Sequence, residues 1–221
     1  MKNDVIRSWE KNAKEWINVI ENNQIESRKH TNNAIVQELS RLPASKLLDV
    51  GCGEGWLTRS ITAMDKEAIG IDAIADLLEN ARKKGPENYY QISYEEVIAG
   101  TSIPEAPFDT AVFNFCLYQK DGLTELLSNI KQMISADGHV VIQTLHPFFL
   151  LRQDLTYKSQ WIQDSWKGLP GNFIDGHPWY ARTFNDWMNV FNSCKMTILN
   201  MKEVVNTNGY PISVIFILNC V

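Results

Sequence analysis

The spacing of apolar positions changes period along the chain, and the changes divide it into elements. Ile6, Trp9, Ala13, Trp16, Ile17 and Ile20 recur in three- and four-residue steps, so one apolar stripe runs along a helix over about Asp4–Ile20. A second helix is expected over about Thr31–Leu42, stopped by Pro43. From there short apolar runs alternate with amphipathic ones. Lys46–Val50, Ala68–Ile71, Tyr89–Tyr94, Phe108–Phe115 and His139–Leu145 read as strands. Helices are expected after the first strand through Met64, over Ala73–Lys84 before Gly85-Pro86, and over Leu123–Ile134, with Asp137-Gly138 turning into the fifth strand. This alternation implies a mostly parallel sheet with helices on both faces, a doubly wound α/β arrangement.

The last part of the chain breaks the rhythm. After a helix at about Phe184–Phe191, the β-rich runs Met196–Val205 and Ile212–Val221 are joined by Asn206–Pro211. That connection is too short for a parallel crossover, so the two must form an antiparallel hairpin.

At 221 residues the chain has room for one domain or two small ones. One domain over 1–221 is expected, with an N-terminal helical cap (1–43), a core (44–145), an aromatic insertion (146–183) and a closing helix and hairpin (184–221). Hydrophobic residues at 44% and charged ones at 21% are ordinary for a globular protein. A net charge of −5 argues against nucleic acid as a partner. Cys52, Cys116, Cys194 and Cys220 form no CxxC pair and none has a histidine at ligand spacing, so neither a metal site nor a disulfide framework is expected. The N-terminal residues lack the apolar core of a signal peptide and no apolar run approaches ~18 residues, which points to the cytoplasm and away from membranes. Nothing in the sequence speaks to oligomeric state.

The main chemical signal is Leu47-Leu-Asp-Val-Gly-Cys-Gly-Glu-Gly-Trp56, three alternating glycines between a buried strand and a helix. Glycine permits positive φ and lets a ligand lie on the backbone, and the following helix offers N–H groups to an anion. Asp72 follows Gly51 by 21 residues at the tip of the second strand, a spacing suited to a carboxylate accepting from ribose hydroxyls. A dinucleotide loop of the GxGxxG kind needs a third glycine where Trp56 stands, which disfavours a nicotinamide oxidoreductase.

Asp-Val-Gly-Cys-Gly-Glu-Gly (49–55), Gly-Ile-Asp (70–72) and Phe-Asp-Thr-Ala-Val-Phe (108–113) resemble the successive motifs of class I S-adenosylmethionine-dependent methyltransferases. The resemblance spans about Lys46–Leu145, and the closing hairpin fits it. It implies a Rossmann-like seven-stranded sheet, mostly parallel with an antiparallel last strand, and S-adenosylmethionine as cofactor, with S-adenosylhomocysteine as its product. It also implies that Gly51 and Gly53 line the methionyl part, that Asp72 holds the ribose, and that Ser93 and Tyr94 stand near the adenine. Arg28 is a candidate partner for the cofactor carboxylate, and Asp49, Cys52, Trp56, Ala73 and Asn114, within or beside the same motifs, are further candidate cofactor contacts. The fourth strand ends Asn114-Phe-Cys-Leu117 rather than Asn/Asp-Pro-Pro-Tyr, which argues against amino groups of adenine or glutamine as acceptors.

His146-Pro147 falls just past the fifth strand, at the edge where open α/β sheets bind ligands. Ten of the chain's 23 Trp, Tyr and Phe residues lie between His146 and Trp187, a composition that reads as a substrate pocket wall or as a satellite core under a long loop. Gly176-His-Pro-Trp-Tyr-Ala-Arg-Thr183, Gln143-Thr-Leu-His-Pro147 and Ile25-Glu-Ser-Arg28 are similar to segments of a bacterial subset of small-molecule methyltransferases. His146 and His177 are candidate proton acceptors and Tyr180 a candidate orienting group. Trp179, Arg182 and Tyr118 are candidate acceptor contacts, Arg182 through an anionic group. The expected activity is methyl transfer to a small molecule. A non-catalytic cofactor-binding protein and an enzyme acting on tRNA or protein are the alternatives.

Overall fold

The computed structural model describes residues 2–220; Met1, at the start of the expected cap, and Val221, at the end of the expected last strand, lie outside the described residues. The elements run α1 (Lys2–Glu21), α2 (Arg28–Arg41), β1 (Lys46–Val50), α3 (Trp56–Thr62), β2 (Glu67–Asp72), α4 (Ala75–Lys84), β3 (Asn88–Gln91), α5 (Tyr94–Ile98), β4 (Phe108–Asn114), α6 (Leu123–Gln132) and β5 (Ile134–Leu145). They continue with α7 (Phe148–Arg152), β6 (Gln160–Ile162), β7 (Trp179–Ala181), α8 (Phe184–Ser193), β8 (Thr197–Val205) and β9 (Pro211–Asn219).

Seven strands pair in the order β3-β2-β1-β4-β5-β9-β8. The first five are mutually parallel, β9 is antiparallel to both β5 and β8, and β8 therefore returns to the common direction. This is the Rossmann-like sheet with one reversed strand. Alternate residues explain how both faces stay dry. Leu47, Val112 and Val141 pack toward Ile35, Leu39, Leu57 and Ile61 of α2 and α3. Their neighbours Leu48, Phe113 and Ile142 pack toward the opposite layer, with Leu126, Leu127, Trp187 and Phe191 of α6 and α8. Each such fully buried side chain contributes roughly 1.5–3 kcal/mol, so the period-two pattern fixes the register.

Sequence from β1 leads to β2 on one side and, later, to β4 on the other, so the crossover direction reverses at β1. A crevice forms beyond the carboxyl ends of strands at such a point. α1 does not lie on the sheet. Its stripe packs on α4, with Ala13 against Ile74 and Leu77 and the Glu21–Lys84 ion pair at 2.8 Å. No helix among the described residues is long and apolar enough to cross a membrane.

Several boundaries differ from the sequence expectation. The third strand stops at Gln91, because Ser93 caps α5: its hydroxyl accepts from the Glu96 backbone N–H at 3.2 Å while the Glu96 carboxylate accepts from the Ser93 N–H at 2.8 Å. β5 begins at Ile134, not His139, and its pairing with β4 shifts register between Phe108 and Thr110; the expected Asp137-Gly138 turn lies within the strand. α2 starts at Arg28, three residues earlier than the periodicity suggests. The insertion carries its own two-stranded sheet, β6 with β7.

Candidate functional site

The turn after β1 is built by glycine. Gly51, Gly53 and Gly55 have φ of +71°, +57° and +78°, in the region that disfavours L side chains. A Cβ on Gly51 would lie 2.8 Å from both the Cβ of Cys116 and the hydroxyl of Tyr94, and one on Gly55 would lie 2.5 Å from the hydroxyl of Tyr89. A Cβ on Gly53 would meet nothing within 4 Å. Two of these glycines let the turn close against protein; the middle one faces open space. Asp72 holds the turn from the next loop. Its Oδ2 accepts from the Gly53 N–H and its Oδ1 from the Ile74 N–H, both at 2.9 Å.

Three carboxyls crowd the floor. Asp49 is 1% exposed and accepts from the Thr58 hydroxyl at 2.7 Å. Burial pushes its pKa up to about 7, against the Thr58 hydrogen bond and with help from the charges of Asp72 and Glu54. Burial also raises Asp72, opposed by the backbone N–H groups it accepts from. Glu54 is buried, with one oxygen 3.0 Å from Arg59 and the other, Oε1, without a hydrogen-bond partner. Facing them, the Arg28 guanidinium lies 4.8 Å from the centre of the Trp56 ring. Burial lowers its pKa and the charge of Glu54 acts the other way. With Glu54 paired to Arg59, Asp49, Asp72 and the Arg28 guanidinium make a floor suited to a ligand with positive charge and one anionic group.

Above this floor opens a cleft of about 1050 Å³. Small-molecule sites run to roughly 300–1,000 Å³, so this one stands at the top of that range. One half brings together the expected cofactor residues Arg28, Asp49, Gly51, Cys52, Gly53, Trp56, Asp72, Ala73, Tyr94 and Asn114. Asn114 Oδ1 is buried there without a hydrogen-bond partner. The Tyr94 hydroxyl donates to the Cys116 carbonyl at 3.3 Å, and the Cys116 thiol donates to the Val50 carbonyl at 3.1 Å. Burial pushes that thiol to about 12 and the Cys52 thiol well above its ordinary range, so neither supplies a thiolate. Ser93 is not among the lining residues; its side chain is used in the α5 cap.

The other half includes Tyr118, His177 and Trp179 from the expected set. His177 Nδ1 is 3.0 Å from the Ser165 hydroxyl, and burial lowers the ring's pKa to about 4, so it is a neutral imidazole at pH 7. His146, Tyr180 and Arg182 lie elsewhere, around a separate void of about 10 Å³, too small for a ligand. The His146 ring is occupied at both nitrogens. Nδ1 accepts from the Phe148 N–H at 3.0 Å, which puts the hydrogen on Nε2, 2.8 Å from the Glu203 carboxylate. Arg182 is buried and donates to the carbonyls of Gln119 and Lys120 at 2.7 and 3.0 Å, with Nε 3.4 Å from Asp186. It fixes the loop after β4 rather than reaching an anion in the cleft. The Tyr180 N–H donates to the Tyr118 carbonyl at 2.8 Å, and its ring meets Trp161 edge-on at 5.3 Å.

Sequence reasoning missed the part α1 plays. Trp9 and Trp16 line the cleft together with Trp166 of the insertion. Asn12 exchanges hydrogen bonds with the backbone of Ile174 at 2.7 and 2.9 Å, Ser8 donates to the Asp175 carbonyl at 2.7 Å, and Glu15 accepts from the Asn172 N–H at 2.7 Å. Lys11 pairs with Asp175. The Trp166 indole donates to the Ser8 hydroxyl at 3.0 Å. A polar face opposite the apolar stripe was the available signal, but its partners lie more than 150 residues away. Among the described residues no group of three or more His, Cys, Asp or Glu comes together to hold a metal ion.

Comparison with known proteins bears on the whole arrangement. A family model described as a methyltransferase domain matches residues 25–197. The chain is 34% identical over 113 residues to an uncharacterized methyltransferase of Schizosaccharomyces pombe, covering 49% of this chain and 43% of that protein. It is 27% identical over 139 residues to a ubiquinone biosynthesis O-methyltransferase of Rhodopseudomonas palustris, covering 61% and 54%. The chain thus spans about half the length of these curated relatives. Its fold matches the crystal structure of an S-adenosylmethionine-dependent methyltransferase from Mesorhizobium loti with a TM-score of 0.64 at 19% identity, over 84% of this chain and 95% of the other.

Proposed function

The chain belongs to the methyltransferase-domain family, and we propose that it transfers a methyl group from S-adenosylmethionine to a small-molecule acceptor. The observation that carries this reading is the open glycine of the β1–α3 turn. Gly53 is the position where the β1–α3 turn leaves space above the backbone, while Asp72, tied to that same N–H, faces the cleft beside it.

The residues present fit the cofactor. Asp72 keeps a free lone pair on each oxygen after accepting from Gly53 and Ile74, enough to accept from two ribose hydroxyls. Arg28, beside Trp56, can pair with a carboxylate, and the buried acids Asp49 and Glu54 can offset an ammonium or sulfonium charge. When bound, S-adenosylmethionine supplies an electrophilic methyl group. The chain's own work is to exclude water and align the acceptor.

His177 orients the acceptor as a neutral hydrogen-bonding ring; with a pKa near 4 it is a weak base at neutral pH. His146 is left as a buried structural group. The acceptor therefore brings a nucleophile that needs little help in losing a proton. The four cysteines are free, which accords with a reducing cytoplasm as the working compartment. Calorimetry with S-adenosylhomocysteine and with NADH tests the reading. Micromolar binding of S-adenosylhomocysteine and none of NADH is expected; the reverse order would overturn it.

A further inference from the structure

The half of the cleft away from the glycine turn has a chemistry of its own. Its walls are the rings of Tyr118, Phe149, Trp161, Trp166 and Trp179. Tyr118 meets Trp179 edge-on at 5.3 Å, and Phe149 meets Trp179 at 5.4 Å and 51°. Trp166 and Trp179 are buried, so the aromatic surface left to line the void is that of Tyr118, Phe149 and Trp161. Trp166 is largely used within the protein, its indole N–H on Ser8 and its ring stacked on Phe173 at 4.7 Å and 9°. The charged side chains on this side, Lys120, Asp121, Asp164 and Lys167, are exposed at the rim. The one buried cation nearby, Arg182, is held by two backbone carbonyls and does not line the cleft.

One buried side-chain atom in this half is left without a partner. Gln119 lines the cleft, and its side-chain amide nitrogen, buried at the wall, donates to nothing in the protein. A buried donor without a partner is costly, and a ligand that accepts from it relieves the cost.

We propose that the acceptor is a planar aromatic or heteroaromatic molecule without a large charge, held between these rings and accepting a hydrogen bond from Gln119 through a ring nitrogen or carbonyl oxygen. This rests on the reading above, in which the glycine half of the cleft takes the methyl donor. Flat rings gain from stacking and edge contacts that a puckered ring of equal size cannot make. An anionic aliphatic acceptor would find no buried cation to neutralise it.

The test uses the whole protein loaded with S-adenosylhomocysteine. The probes are quinolin-2-one and isoquinolin-1-one, their fully hydrogenated counterparts, and naphthalene as a flat ring without an acceptor atom. Binding is followed by tryptophan fluorescence and by saturation-transfer NMR. The flat lactams are expected to bind about tenfold more tightly than the hydrogenated ones. Trp161→Leu, at a residue 36% exposed, should cut that preference several-fold without unfolding the chain. Gln119→Leu should weaken the lactams about fivefold, leave naphthalene unchanged and not lower the Tm of the ligand-free protein, since it removes a donor the fold does not use. Equal binding of flat and hydrogenated probes, no binding of either by the loaded protein, or a Gln119→Leu variant that melts lower and binds lactams normally would each overturn the proposal. Failure to take up S-adenosylhomocysteine at all overturns the reading beneath it, and the proposal with it.

Discussion

Gly51→Ala and Gly53→Ala place the same methyl group two residues apart in one turn, and the structure assigns them opposite consequences. At both positions φ is positive, which costs an L residue roughly 1–2 kcal/mol. At Gly51 the new Cβ also meets the Cβ of Cys116 and the Tyr94 hydroxyl at 2.8 Å. The Cβ of Cys116, two residues past β4, is fixed to the backbone and cannot swing aside as the end of a long side chain would, so overpacking adds about 1–3 kcal/mol. At 2–4 °C per kcal/mol for a chain of this size, Gly51→Ala should lower Tm by about 4–20 °C and Gly53→Ala by only about 2–8 °C. Ligand affinity should reverse the order. The Gly53 methyl projects into the space assigned to the cofactor, and an overlap worth about 1–3 kcal/mol weakens S-adenosylhomocysteine by roughly 5- to 150-fold. The assays are differential scanning fluorimetry without ligand and calorimetric titration below the Tm of each variant. A stably folded Gly53→Ala that binds S-adenosylhomocysteine as the unaltered protein does would refute the reasoning, because it would make the open space over Gly53 irrelevant to the ligand.

Four further outcomes follow from the same geometry. Asp72→Ala should weaken S-adenosylhomocysteine by about 1.5–3 kcal/mol, the worth of hydrogen bonds to a charged acceptor; a Kd within twofold of the original would remove Asp72 from the site. Asp49, whose pKa rises to about 7 in the fold, carries a proton below neutrality that an unfolded chain sheds near pH 4, so its contribution to stability is present at low pH and is lost as pH rises through about 7. Asp49→Asn should therefore flatten the fall in Tm between about pH 4 and pH 7, the span set by that shift, and an unaltered slope would contradict it. His177, lowered to about 4, works with the opposite sign, its contribution lost as pH falls from its ordinary range toward 4, which His177→Gln should remove. His146→Gln should lower Tm by roughly 2–12 °C through loss of its contacts with Glu203 and Phe148, leaving S-adenosylhomocysteine affinity unchanged; full stability with lost turnover would return His146 to the chemistry.

The donor half of the cleft was legible because local rules make it. A turn between a buried strand and a helix needs positive φ at fixed offsets, only glycine supplies it without strain, and the carboxylate at the tip of the next parallel strand must then stand beside it. Gly51, Gly53 and Asp72 are found together for that reason. The closing hairpin was legible for a similar one, since six connecting residues cannot carry a parallel crossover. Local rules also explain the errors. Ser93 and Tyr94 looked like the end of a strand because Tyr-Tyr-Gln-Ile-Ser-Tyr is β-rich, yet a Ser with Glu three residues on makes a reciprocal cap, and the cap turned the chain into α5.

The acceptor half follows no such rule, and His146 shows why. Its place after β5 was read correctly, and Pro147 does end the strand there, but the direction of a side chain past a strand end is set by what packs on it. Here Glu203, 57 residues later on the edge strand β8, and the ring of Phe184, 5.1 Å away, draw the imidazole out of the cleft and into the seam between the hairpin and α8. The same holds for Arg182, whose fork was expected to meet an anion and instead spans two carbonyls of the loop that carries Tyr118 and Gln119. In both cases a residue picked for its chemistry is used to position the wall. The groups left facing the ligand are the ones the fold does not consume: a neutral His177, flat rings from three segments, and the unpaired amide of Gln119. A sequence marks which side chains are able to do chemistry. Which of them remain free to do it depends on long-range partners that only the folded chain brings together.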